Sequence, residues 1–97
     1  MNRSEYFNAA LKKCEDAYLN DPTYLPLEWA INQLKKLISI QNENNISVLT
    51  SIKIGHIATR EMDGYPDKEL IHMLCIISNE VDKMIEESNL KMDKKEK

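Results

Sequence analysis

An antiparallel four-helix bundle, all-α and single-domain, is the architecture that this 97-residue chain predicts. Apolar residues recur at steps of three and four along four separate stretches, the spacing that lines one face of a helix. Breaker pairs, Asp21-Pro22 and Asp63-Gly64 with Pro66, divide those stretches. Two Gly and three Pro are too few for a turn-rich sandwich or barrel. The length suits one domain with one modest core.

The first helix is expected over Ser4 to Asn20, with Ser4 as N-cap because its hydroxyl can accept from a first-turn amide. Phe7, Ala10, Leu11, Cys14 and Tyr18 form its stripe, and Asn20-Asp21-Pro22 stops it. The second runs from about Thr23 to Gln41. Pro26 sits in its first turn, where a missing amide costs little. Leu27, Ala30, Ile31, Leu34, Leu37, Ile38 and Trp29 are read as its buried face, and Gln41 to Asn45 as a polar loop.

The third helix is expected over Ser47 to Met62, capped by Ser47. Its β-branched run makes a strand the competing assignment. Length and the broad apolar side of Val48, Leu49, Ile52, Ile54, Ile57, Ala58 and Met62 favour a helix, the most buried of the four. Gly55 in its middle costs about 1 kcal/mol against Ala, which points to close approach by a neighbouring helix. The fourth helix starts at Asp67 as N-cap. Leu70, Leu74, Ile77, Val81 and Ile85 give it the cleanest period in the chain, widened by Ile71 and Met84. Residues 1–90 are thus read as the helical domain and 91–97 as a charged tail without stable structure.

Apolar residues are 42% and charged residues 30%, an ordinary balance for a folded soluble domain. The net charge is −3. The tail from 89 holds four lysines and two acids, or +2, which leaves −5 for residues 1–88. Phosphate binding needs a basic patch, so a nucleic-acid partner is not expected. No apolar run reaches the roughly 18 residues of a membrane span. No apolar segment follows Met1-Asn2-Arg3-Ser4-Glu5, so the expected location is the cytoplasm. In a reducing compartment Cys14 and Cys75 read as small core residues.

Little points to catalysis. Glu69 and His72 form one Glu-x-x-His pattern, but a di-metal bundle needs two such motifs and further inward carboxylates. No nucleophile-base set and no phosphate-cradling glycine loop is present. No enzyme activity, metal or cofactor is expected. The most informative stretch runs from Arg60 to Glu69. It places Glu61, Asp63, Asp67 and Glu69 around Tyr65, in a loop and its flanks. These five are the candidate partner-binding residues: acids speed encounter with a basic partner, and tyrosine is a frequent anchor. A solvated turn with Asp67 as cap is the plainer reading of the same residues. Glu15, Asp16 and Asp21 make a second acidic group that needs no purpose beyond solubility. Tyr6, Tyr18, Tyr24 and Trp29 read as aromatics at the core's edge.

Several stretches also carry a likeness. They are Tyr6 to Leu11, Pro22-Thr23-Tyr24 with Gln33-Leu34, Ile54 to Asp63 with its Ile-Gly-x-Ile-Ala-x-Arg-Glu core, and Pro66 to Leu70. Over roughly residues 5–75 the chain resembles the small helical immunity proteins that protect bacteria from type VI secretion effectors, above all those paired with NAD(P)-degrading toxins. The resemblance implies a protein that binds a cognate protein toxin and blocks it, with no catalysis of its own; the acidic body of −5 adds the expectation that it does so by occluding a basic active-site cleft. Two other readings remain open: an immunity protein of contact-dependent inhibition directed at an RNase toxin, and a homo-oligomeric helical adaptor. The sequence does not decide between monomer and dimer.

Overall fold

Helix α1 spans Arg3–Asn20. Its N-cap is Asn2, whose Oδ1 accepts from the Glu5 amide at 2.8 Å, and not Ser4 as the sequence suggests. The earlier start carries Arg3 into the first turn. There its guanidinium donates to Glu80 at 3.0 Å and to Glu87 at 3.4 Å on the last helix. Partial burial opposes ionisation of Glu80, yet hydrogen bonds from Arg3 and Lys83 hold its carboxyl below the ordinary value. The stop at Asp21 is as expected, with its amide reaching back to Ala17 and Tyr18. The computed structural model describes residues 2–40 and 46–95, with side chains over 2–40 and 47–88.

Helix α2 spans Leu25–Ile40, starting two residues later than expected. Asp21 and Tyr24 close the preceding turn, the Tyr24 amide donating to the Asp21 carbonyl at 3.1 Å. Pro26 falls in the first turn, where its missing amide is harmless. Leu27, Ala30, Ile31, Leu34 and Leu37 are buried, but Trp29 is 41% exposed, which takes it off the buried face and leaves the reading of an aromatic at the core's edge. A step of one residue turns a helix by about 100°, so Trp29 shares the outer face with Leu25 and not the inner face with Ala30. The loop expected at 41–45 lies outside the described residues.

The third helix departs most from expectation. It is broken into α3, Ile46–Leu49, and α4, Ile54–His56, which passes into a π turn over Ile57–Glu61. Local polar side chains compete for the backbone between α3 and α4. Thr50 Oγ1 donates to the Ser47 carbonyl at 3.0 Å and Ser51 Oγ to the Val48 carbonyl at 2.6 Å. The Lys53 amide leaves the ladder for Gln33 Oε1 on α2, 2.7 Å away. Ser47 lies inside α3 and is not its cap. The apolar reading of the segment holds all the same: Leu49, Ile54, Ile57, Ala58 and Met62 are buried. No strand occurs among the described residues.

Helix α5 spans Lys68–Lys95, so its backbone continues past residue 91, where the charged tail is expected to begin. Asp67 caps it as predicted, Oδ1 accepting from the Leu70 amide at 3.1 Å. Leu70, Leu74, Ile77, Val81 and Met84 are buried and form the seam against which α1, α3, α4 and the π turn pack. The result is an all-α bundle, with the α1–α2 hairpin laid against α5 and the interrupted segment.

Gly55 lies where that segment meets α5. A Cβ there would overlap Ser78 Oγ and come within 3.0 Å of the Ser78 Cβ. Gly55→Ala is therefore expected to lower the urea midpoint by the equivalent of about 1–2 kcal/mol, overpacking outweighing the gain in helix propensity. Gly55→Ala/Ser78→Ala should recover part of that loss. Burial, reinforced by the carboxylates of Glu15 and Asp67, pushes the Cys14 thiol up to about 12, whereas Cys75 is only half-buried. A thiol reagent should accordingly titrate Cys75 in the native protein and reach Cys14 only after denaturation.

Candidate functional site

The connection between the π turn and α5 carries the five residues singled out by the sequence. The π turn ends at Glu61, where the Met62 amide donates five residues back to the Ile57 carbonyl at 2.9 Å. The Glu61 carbonyl at the end of that turn accepts from Tyr24 Oη at 3.3 Å. Gly64, at φ +86°, supplies the left-handed residue that lets the chain reverse, and the Tyr65 amide donates to the Met62 carbonyl at 2.9 Å. Tyr65 then stacks on Tyr24, ring centroids 4.9 Å apart and planes at 23°.

The five residues do not share one role. Glu61 and Asp63 are exposed, and Glu61 lies 4.0 Å from His56 Nε2. Asp67 is occupied twice, as cap of α5 and as partner of Lys13 Nζ at 3.5 Å. Glu69 is exposed on the first turn of α5 and lies toward Tyr6, whose hydroxyl is pushed up by burial and by that carboxylate. Tyr65 is half-buried. Its hydroxyl is pushed up by burial first, then by Asp67 and Asp21. Tyr24 is raised likewise, by burial and then by Asp21 and Glu61. The stacked pair therefore sits among Asp21, Glu61 and Asp67.

Asp21 comes from the second acidic group, which the sequence leaves unassigned. Asp16 and Asp21 line a shallow groove with Lys13, Tyr65 and Asp67, with a volume of about 370 Å³. The two acidic groups thus form one surface across the end of α1. The Tyr24–Tyr65 stack and the Lys13–Asp67 pair bring them together, contacts between residues far apart in the chain that no local pattern discloses. Beside this surface, a second groove of about 540 Å³ runs between α1 and α2, lined by Glu15, Tyr18, Leu19, Glu28, Ile31 and Lys35. Leu19, in the last turn of α1, is 79% exposed, and Leu25 and Trp29, in the first turns of α2, are exposed as well. The sequence reading passes over Leu19 and Leu25, although a helical wheel puts Leu25 opposite the stripe of Leu27 and Leu34.

Among the described residues no group of three His, Cys, Asp or Glu is placed to hold a metal ion, and Glu69 and His72 are both exposed. No helix among them is long and apolar enough to cross a membrane. Replacing Asp67 separates its cap role from its charge. Asp67→Ala should lower the unfolding free energy by about 1 kcal/mol in a denaturant titration, while Asp67→Asn, itself a good cap, should keep most of it.

Comparison with known proteins gives one family. The Tsi6 profile matches residues 2–88, beyond the span that the sequence motifs alone cover. No curated protein and no solved structure matches the chain.

Proposed function

The chain belongs to the Tsi6 family, the immunity proteins of type VI secretion, and on that premise we propose that it neutralises one cognate toxin, an NAD(P)-degrading effector, by covering its active site. It does so in the cytoplasm, through binding and without catalysis of its own. One observation carries the reading. The stacked Tyr24–Tyr65 pair is flanked by the carboxylates of Asp21, Glu61 and Asp67 on a body of net charge −5.

A cleft that binds an anionic dinucleotide is expected to be basic, and an acidic surface suits it by charge. The carboxylates would raise the encounter rate and orient approach, and the tyrosine rings offer contact area at small entropic cost. A standard interface takes about 800 Å² from each partner. The whole accessible surface is 6163 Å², so one face of the hairpin end and the adjoining connection suffices.

The test is a toxicity rescue. The C-terminal portion of the open reading frame immediately upstream is induced in a bacterial host with and without this protein, and growth, cellular NAD(P) and intact RNA are followed. Growth arrest with NAD(P) loss, relieved by this protein, is the expected result. Arrest with RNA loss would replace the proposed toxin chemistry by a nuclease, and arrest that persists would overturn the neutralising role. In the same assay and in binding kinetics, Glu61→Gln/Asp63→Asn/Asp67→Asn/Glu69→Gln should slow association about tenfold at low salt and flatten its salt dependence. Unchanged association in that variant would remove the acidic face from the interface.

A further inference from the structure

We infer that the end of the α1–α2 hairpin is the anchoring half of the toxin interface, where Leu19, Leu25 and Trp29 receive an apolar ridge flanked by lysine or arginine. This rests on the neutralising role proposed above and names the part of the surface that sets residence time.

The three large apolar side chains that stand exposed among the described residues, Leu19, Leu25 and Trp29, all fall within residues 19–29. Scattered exposed hydrophobics need no explanation, but a cluster at one end of a hairpin does. Leu25 and Trp29 are one turn apart on the outer face of α2, and the core face is filled by Leu27, Ala30, Ile31, Leu34 and Leu37.

The rim chooses the occupant by charge. Glu15 and Asp16 on α1 and Glu28 on α2 line the groove beside Leu19. Lys35 is the cation among those lining residues, and Lys12 approaches Asp16 only to 4.0 Å. A second copy of the chain would meet this patch with the same patch, because a two-fold contact is isologous, and would bring three acids and one lysine of each copy onto the same set. A basic partner would not. The patch also adjoins the acidic connection, since Leu25 follows Tyr24, whose ring stacks on Tyr65 and whose hydroxyl reaches Glu61. Apolar anchors inside a polar rim are the usual anatomy of a tight interface.

The experiment compares Leu25→Ser/Trp29→Ser with Glu61→Gln/Asp63→Asn for binding to the purified, catalytically inactivated toxin domain used in the rescue. Both variants are first checked for native circular dichroism and melting, which exposed positions should leave unchanged. The apolar variant should lose about 100-fold in affinity, nearly all in the dissociation rate, with its salt dependence intact. The acidic variant should change mainly the association rate. Binding by the apolar variant within twofold of wild type overturns this inference and leaves the neutralising role standing. A wild-type dimer in light scattering that the apolar variant dissolves also overturns it, because the patch would then be a self-interface. Failure of the wild type to bind or neutralise the toxin overturns the role itself, and this inference with it.

Discussion

The apolar stripe of α5 is the surface on which the rest of the chain is laid. Leu70, Leu74, Ile77, Val81 and Met84 are all buried, and α1, α3, α4 and the π turn each pack against this helix. At roughly 1.5–3 kcal/mol for each fully buried large aliphatic side chain, the seam is a large share of the driving force in so small a protein. It also constrains the neighbours. The interrupted segment must come close enough to bury Ile54 and Ile57, and Gly55 allows that by leaving room for Ser78. The backbone break at Thr50–Lys53 is tolerated because apolar burial, and not helix continuity, secures the segment.

That distinction explains what was readable in the residues alone. Helices α1, α2 and α5 follow directly from periodicity, and the caps at Asp67 and the stop at Asp21 follow from short-range chemistry. The third helix has the right apolar residues and the wrong continuity. Thr50 and Ser51 turn back on local carbonyls, and Gln33, twenty residues earlier, takes the Lys53 amide. Periodicity registers burial and is blind to such captures. Trp29 shows the opposite failure. Its residue type suggests the core, whereas its angular position on α2 puts it outside.

The candidate site was half legible for the same reason. Glu61, Asp63, Tyr65, Asp67 and Glu69 are conspicuous as a local cluster. The structure sets Glu61 and Asp67 beside the tyrosines and Glu69 toward Tyr6, and it adds Asp21 and Tyr24, which arrive through one aromatic stack and one hydrogen bond across 37 residues of chain. Those two contacts tie the tip of the α1–α2 hairpin to the π turn. They also hold the tyrosine rings in place before any partner arrives, which lowers the entropy lost on binding.

Magnitudes then bear on how such a surface would grip. A nanomolar complex requires about −12 kcal/mol, and an exposed ion pair contributes about 0–1 kcal/mol. The carboxylates around Tyr24 and Tyr65 fall well short of that sum, even with every one paired, before the costs of association are counted. Their physical strength lies in steering, which reaches beyond contact and weakens with salt. The remainder has to come from desolvated apolar area. In this fold most such area is locked in the core, where removing it would unfold the protein. The hairpin end is where apolar side chains lie outside the core and beside the acids. A tight complex on this face therefore divides the work: charge brings the partner to the surface, and Leu19, Leu25 and Trp29 keep it there.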